Sequence, residues 1–163
     1  MTEKKTASTS PADREISTTR IFDAPRELVW KVWTEPSHIA QWWGPKGFTN
    51  TIHMMEVRPG GVWDFIMRGP DGVDYPNTIY YHEVKKPERL FYDHGKPGEP
   101  SYFQVTVTFE EAAGKTKLTM TMLFPTAEQR NMVAEKYGAV EGLKQNMDKL
   151  AEYLKNREIL SQK

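Results

Sequence analysis

The stretch TAEQRNMVAEKYGAVEGLKQNMDKLAEYLK, residues 126–155, decides the fold. Pro125 stops whatever precedes it. Thr126 suits an N-cap, and Gln129 stands three residues on, as a capping box requires. Val133, Tyr137, Val140, Leu143, Met147, Leu150 and Leu154 then recur at steps of three and four. That spacing draws one apolar stripe along a helix, with Lys136, Glu141, Lys144, Gln145, Asp148 and Lys149 mostly on the other side. A single helix over residues 126–155 would run about 45 Å. Such a helix must lie along a surface made by the rest of the chain. Gly138 and Gly142 interrupt it, each at a cost of about 1 kcal/mol relative to alanine. They share a face. Either the helix packs very closely there or it leaves space, and Gly142 is the stronger candidate to line space.

Outward from this helix, the surface it lies on has to be found. Ile16 to Phe22 reads as a first strand. Pro25 opens a short helix with Val29, Val32 and Trp33 inward. Pro36-Ser37 starts a second one carrying Ile39, Trp42 and Trp43, and Gly44-Pro45 ends it. The middle of the chain is a series of hairpins. The turn at Arg58-Pro59-Gly60-Gly61 predicts Met54 opposite Phe65, Ile52 opposite Met67 and Glu56 opposite Trp63. The turn at Gly69-Pro70-Asp71-Gly72 carries that face to Tyr75, Asn77, Ile79 and Tyr81. Lys86-Pro87 carries it on to Leu90, Tyr92 and His94. Ala113-Gly114 sets Phe109 against Leu118, Val107 against Met120, Val105 against Met122 and Phe103 against Phe124. Thr106, Thr108, Thr119 and Thr121 fall on the reverse. This is the alternation of a half-buried antiparallel sheet. One long helix is available to cover its apolar face, so the sheet has to curve around it.

The chain is 163 residues long, enough for one domain with a real core. Residues 1–12 are polar and read as a disordered tail, 13–158 as the single domain and 159–163 as a second tail. Basic and acidic residues balance at 22 each, which argues against nucleic acid or an anionic membrane as partner. Cysteine is absent, which removes disulfides, thiol nucleophiles and cysteine-bound metal and fits a cytoplasmic location. No segment has the length or apolarity of a membrane span, and the N-terminus lacks the apolar stretch of a signal peptide.

The order of elements, one strand, two short helices, about six antiparallel strands and a long helix, resembles the helix-grip fold of the START and Bet v 1-like (SRPBCC) superfamily. The chain resembles more narrowly the single-domain relatives of the C-terminal domain of the Hsp90 ATPase activator. The resemblance is carried by Thr19-Arg20-Ile21-Phe22-Asp23-Ala24-Pro25 with Val29-Trp30, and by Trp42-Trp43-Gly44-Pro45. It continues through Val57-Arg58-Pro59-Gly60-Gly61-Val62-Trp63, Gly69-Pro70-Asp71-Gly72, Pro87-Glu88-Arg89-Leu90, Val105-Thr106-Val107-Thr108-Phe109 and Leu150-Ala151-Glu152-Tyr153-Leu154. It spans roughly residues 14–155. The resemblance implies an α+β fold in which a curved antiparallel sheet of six to seven strands wraps the C-terminal helix. It also implies a cavity between helix and sheet, used across the superfamily for lipids, hormones, polyketides or aromatic compounds, and in some branches for chemistry. The family is named for a two-domain eukaryotic protein that stimulates Hsp90. An Hsp90-type chaperone is therefore the protein partner it implies, although 163 residues leave no room for that protein's N-terminal domain.

The residues do not spell out catalysis. His38, His53, His82 and His94 fall at no metal-binding spacing, and no nucleophile elbow or phosphate loop is present. No cofactor is expected. The inferred inner face carries polar-tipped residues among apolar ones, which is how a small-molecule site looks. The candidate ligand-binding residues are Trp43, Glu56, Trp63, Phe65, Tyr75, Asn77, Tyr81, Tyr92, His94, Phe103, Gly138 and Gly142. The alternative puts the tyrosines at a wet rim and pairs Glu56 with a nearby base. A Glu56–His94 acid–base pair would be the route to an enzyme of the cyclase, dehydratase or hydrolase kind, given a carboxylate buried beside Trp63. Of Trp42 and Trp43, one ring can close a cavity while the other packs under the sheet, or both can be core. Arg20 and Arg58 could hold an acidic ligand group or pair with surface carboxylates. The expected function is binding of a small apolar or aromatic molecule. A protein-interaction module with an incidental cavity is the remaining alternative.

Overall fold

A computed structural model of the chain describes residues 11–99, 102–136 and 138–155. After a 3-10 turn at Pro11–Arg14 come β1 (Glu15–Phe22), α1 (Arg26–Thr34), α2 (Pro36–Ile39), β2 (Thr49–Met55) and β3 (Val62–Arg68). They are followed by β4 (Asp74–Lys85), β5 (Arg89–His94), β6 (Phe103–Ala112), β7 (Lys115–Leu123), α3 (Ala127–Lys136) and α4 (Ala139–Leu154). The seven strands form one curved antiparallel sheet in the order β1-β7-β6-β5-β4-β3-β2. Of the expected tails, all but Pro11 and Ala12 lie outside the described residues.

The concave face is the core. Val105, Val107 and Phe109 pair with Met122, Met120 and Leu118 in the expected register. The threonines on the reverse meet β1, where Ser17 and Thr19 lie 3.2 Å from the hydroxyls of Thr121 and Thr119. Met67 opposes Tyr75, Phe65 opposes Asn77 and Trp63 opposes Ile79, again as the turns predict. At one end the sheet is covered by α1 and α2, not by the C-terminal helix. Trp33 stands edge-on to Phe109, Trp42 and Trp43 there, and Trp30 to Phe109.

Two corrections bear on the site. Met55, not Glu56, opposes Trp63, and a bulge between Ile52 and Met54 shifts the pairing by one residue more, so that Ile52 opposes Phe65 and not Met67. The one-residue slip at the turn side turns that end of the strand over. Met54, expected inside, is 42% exposed. Glu56, expected opposite Trp63, lies beyond the strand and pairs with Arg58 at 3.4 Å.

The second correction concerns the long helix. It is two helices, broken at Gly138, which has φ +61°. Thr126 does cap the first, its Oγ1 accepting from the Gln129 N–H at 3.0 Å. The break resets the helical phase. Leu143, Met147, Leu150 and Leu154 are buried, as is Asn146, but Val140 is 59% exposed. Tyr137 lies outside the described residues. With 16 residues, α4 is about 24 Å long and spans only part of the sheet. Arg20 on β1 ties it down through Asp148 at 2.7 Å.

Candidate functional site

A pocket of about 190 Å³ lies between the first half of α4 and the sheet. Its sheet wall comes from alternate residues of neighbouring strands, which point to one face by the two-residue period. These are Tyr92 and His94 of β5, Phe103 and Val105 of β6, and Met120 and Met122 of β7, with Met67 of β3 beside them. The helix wall is Gly138, Ala139, Gly142, Leu143 and Asn146. Trp43, Gly44 and Pro45 form the third side. The lining runs from exposed Gly138 to fully buried Tyr92, so the pocket reaches from the surface into the core.

Gly142 is what keeps α4 thin here. A Cβ at that position would meet only Pro45, at an ordinary 3.5 Å. The loop carrying Pro45 is held by three side chains of α4. Asn146 Oδ1 accepts from the Gly44 N–H at 3.1 Å, Gln145 Oε1 accepts from the Lys46 N–H at 3.2 Å, and Lys149 Nζ donates to Pro45 O at 3.2 Å. Partial burial of Lys149 lowers its pKa.

The wall carries no charged side chain, and its polar groups are few. The Tyr92 hydroxyl is buried and has no hydrogen-bond partner among the described residues. Burial, and then the neighbouring Tyr81, raise its pKa, so it stays an O–H group. His94 stacks on Phe103 at 4.7 Å, and its Nε2 lies 2.8 Å from Asn77 Oδ1. The Asn77 amide is oriented by its own donation to Tyr75 O at 2.9 Å, which leaves its oxygen facing the ring. His94 therefore carries its proton on Nε2 and its lone pair on Nδ1. Burial pushes the imidazole pKa from 6.5 down to about 4, so the ring is neutral at neutral pH.

Of the twelve candidate residues, Trp43, Tyr92, His94, Phe103, Gly138 and Gly142 line this pocket. Trp63, Phe65 and Tyr81 are buried but lie outside the pocket wall. Trp63 stacks on Phe65 at 4.3 Å and meets the Trp43 ring at 5.2 Å, and it is Trp43 that reaches the pocket. Trp42 is core, its Nε1 donating to Val32 O at 3.1 Å. Tyr75 and Asn77 instead line a wider groove of about 680 Å³, with Asp74, Lys96 and Glu99, where β4 extends past the end of β5. His94 and Phe103 form part of both linings. Glu56 lines neither, and no Glu56–His94 pair exists. Asn146, Leu143 and Pro45 were missed. Asn146 sits four residues from Gly142 on the helix, but a lone asparagine in a polar stretch gives no signal of burial.

The other polar candidates have structural partners. Arg20 pairs with Asp148 and Arg58 with Glu56. Buried His38 lies 2.8 Å from the Tyr153 hydroxyl. His82 lies 3.0 Å from Asp93 on the convex face, where Asp93 also accepts from Tyr102 and Gln104. Among the described residues no three His, Asp or Glu side chains are grouped to hold a metal ion. No described helix is long and apolar enough to cross a membrane.

The fold recurs in solved structures. A protein of Nitrosomonas europaea is similar at 26% identity and TM-score 0.79, over 90% of this chain and 97% of that one. A protein of Arthrobacter aurescens is similar at 25% identity and TM-score 0.83, over 90% and 89% of the two chains. An AHSA1-like protein of Aeromonas hydrophila, at 21% identity and TM-score 0.70 over 88% and 94%, shares the fold. No curated protein matches the sequence. The family described as "Activator of Hsp90 ATPase homolog 1-like protein" matches residues 23–155, from the turn before α1 through the end of α4, and the chain belongs to that family.

Proposed function

We propose that the protein binds a small apolar or aromatic molecule in the pocket under α4 and works by sequestering it. The observation that carries this reading is a pocket of about 190 Å³ walled by apolar side chains and without a charged group. An apolar cavity of roughly 150 Å³ stays dry and takes up benzene. A one-ring ligand leaving water with roughly 200 Å² of apolar surface would gain about 5 kcal/mol, before the cost of association. A cytoplasmic location agrees with the absence of cysteine.

Sequestration is favoured over catalysis because His94 has no acidic partner in the pocket. Its Nε2 proton goes to the Asn77 amide oxygen, and Glu56 is engaged by Arg58 outside. General acid–base catalysis asks for a titrating group near the working pH, and an imidazole at about 4 is not one. The family's name makes an Hsp90-type chaperone the partner to compare against. Native mass spectrometry of freshly purified protein tests the reading. The expected result is one small molecule retained in the native state and released on denaturation, or, from an empty protein, saturable uptake of toluene. A protein that arrives empty and takes up no toluene would remove the reading and leave association with an Hsp90-type chaperone as the better one.

A further inference from the structure

An apolar pocket explains affinity for any greasy molecule of the right size. Its polar atoms are more selective, and Trp43, Tyr92, His94 and Asn146 carry those of the side chains. The Tyr92 hydroxyl is sealed from open space. His94 spends its Nε2 proton on Asn77 Oδ1, and its Nδ1 can accept but not donate. Asn146 is placed differently. Its Oδ1 accepts from the Gly44 N–H at 3.1 Å. That backbone donor fixes which end of the carboxamide faces it, so the NH2 group is turned the other way. Asn146 Nδ2 donates to no described residue and yet is not sealed. With Asn146 only 7% exposed, the open space it borders is the pocket. The indole N–H of Trp43, a residue 5% exposed on the same wall, is likewise unspent and unsealed. The free N–H groups in the first turn of α4 belong to the outer end, beside exposed Gly138, where water reaches them.

We infer that the pocket selects a neutral one-ring carbonyl compound, an aryl ketone, aldehyde or ester, whose C=O oxygen accepts from Asn146 Nδ2. This rests on the ligand-binding reading above and narrows it. A carbonyl oxygen takes up a donor and brings no proton that would need an acceptor in turn. The Trp43 N–H favours the same kind of ligand, since it too can only donate. A carboxylate would lose its hydration without finding a counter-charge, because no Lys or Arg lines the pocket. The size fits, since about 190 Å³ has room for one substituted ring and not for a fused polycycle. The carboxamide is already held in place by Gly44, so it gives up little freedom when a ligand binds.

Calorimetric titration with acetophenone, α-methylstyrene and benzoate at pH 8, on the wild type and on Asn146→Asp, tests this. Acetophenone and α-methylstyrene share one shape and differ in a C=O against a C=CH2 group. Asn146→Asp keeps an oxygen for the Gly44 N–H and replaces the donor by a second acceptor. The affinity for acetophenone relative to α-methylstyrene should fall at least about tenfold in this variant, because the carbonyl is then buried unpaired. Gln145→Ala loosens the same loop from outside the pocket wall and should change that ratio by less than about threefold. The infrared C=O stretch of acetophenone bound to the wild type should lie below its value in hexane, a reading that needs no variant. A ratio that holds in Asn146→Asp, an equal fall in Gln145→Ala, or an unshifted stretch would overturn the carbonyl assignment while leaving an apolar pocket. So would tightest binding of benzoate. No binding of any probe would overturn the pocket reading and the assignment with it.

Discussion

Gly138 has φ +61° and stands at the N-cap of α4, whereas Gly142 lies inside the helix. The two residues have the same side chain and opposite needs. At Gly138 a Cβ would clash with nothing, yet the left-handed backbone disfavours any L side chain. Gly138→Ala should therefore lower stability by about 1 kcal/mol. At Gly142 the backbone is helical and a Cβ would sit 3.5 Å from Pro45 Cγ, a normal contact. Gly142→Ala should raise stability by up to about 1 kcal/mol, and Gly142→Leu should cost ligand uptake more than folding. Urea melts of the variants give both signs, and two changes of the same sign would mean the helix break is misplaced. His94 supplies a second test at this scale. Its folded pKa of about 4 lies below the 6.5 of the unfolded chain, so folding favours the neutral ring. The contribution is complete above about pH 6.5 and is lost as pH falls through about 4, amounting to roughly 3 kcal/mol at most. The stability difference between wild type and His94→Asn, measured by urea melts from pH 7.5 to 4, should shrink or reverse over that window. Parallel curves would show that the ring is not held neutral.

Elements explain why some positions were legible in sequence and others were not. The hairpins joined by tight turns came out in register because a two-residue period and a short turn leave one solution, as at Val105–Met122 and Phe65–Asn77. The β2 register did not, because a bulge adds one residue with no side-chain signature. The turn side is itself one residue out, with Met55 and not Glu56 opposite Trp63, which leaves Met54 outward and Glu56 out of the candidate site, and the bulge adds a second residue before Ile52. The helix of residues 126–155 was read through Gly138 because the three-and-four spacing continues across it. A left-handed residue leaves composition unchanged while rotating everything after it, and Val140 ended in solvent. The link between α4 and the Gly44–Phe48 loop was invisible for another reason. Gln145 and Lys149 are polar residues that sequence assigns to a wet face, Asn146 beside them gives no signal of burial, and only tertiary packing turns the three toward a backbone. Asn146→Ala should leave the buried Gly44 N–H without its acceptor, at a cost of about 1–3 kcal/mol. Asn146→Asp keeps an acceptor and should cost less. Amide hydrogen exchange at Gly44 should quicken in the alanine variant before global unfolding does. Unchanged exchange there would mean the loop is held by Lys149 and Gln145 alone.

Across the whole molecule, the interior is uneven. The sheet end under α1 and α2 is filled by Trp30 and Trp33 against Phe109, with Trp42 against Trp33. The second half of α4 buries Met147, Leu150 and Leu154, with Met147 and Leu150 fully out of solvent. The first half of α4 borders the pocket, with Val140 in solvent and Gly142 lacking a side chain, and α3 buries only Val133 among its residues of described burial. Local stability follows buried apolar contact, so the molecule should open from this side while the rest stays folded. Hydrogen exchange followed by mass spectrometry should show peptides from α3 and from residues 139–144 exchanging faster than those covering 147–154. The same regions line or adjoin the pocket, so a bound ligand should suppress their local opening first. Saturation with toluene should slow exchange in residues 139–146 and in the Gly44–Phe48 loop, and leave β1 and the Trp-rich end unchanged. Uniform protection across the chain would mean that the ligand acts on global stability alone. Protection confined to strand β4 and residues 95–99 would move binding to the outer groove beside Tyr75, on the far side of the His94–Phe103 wall.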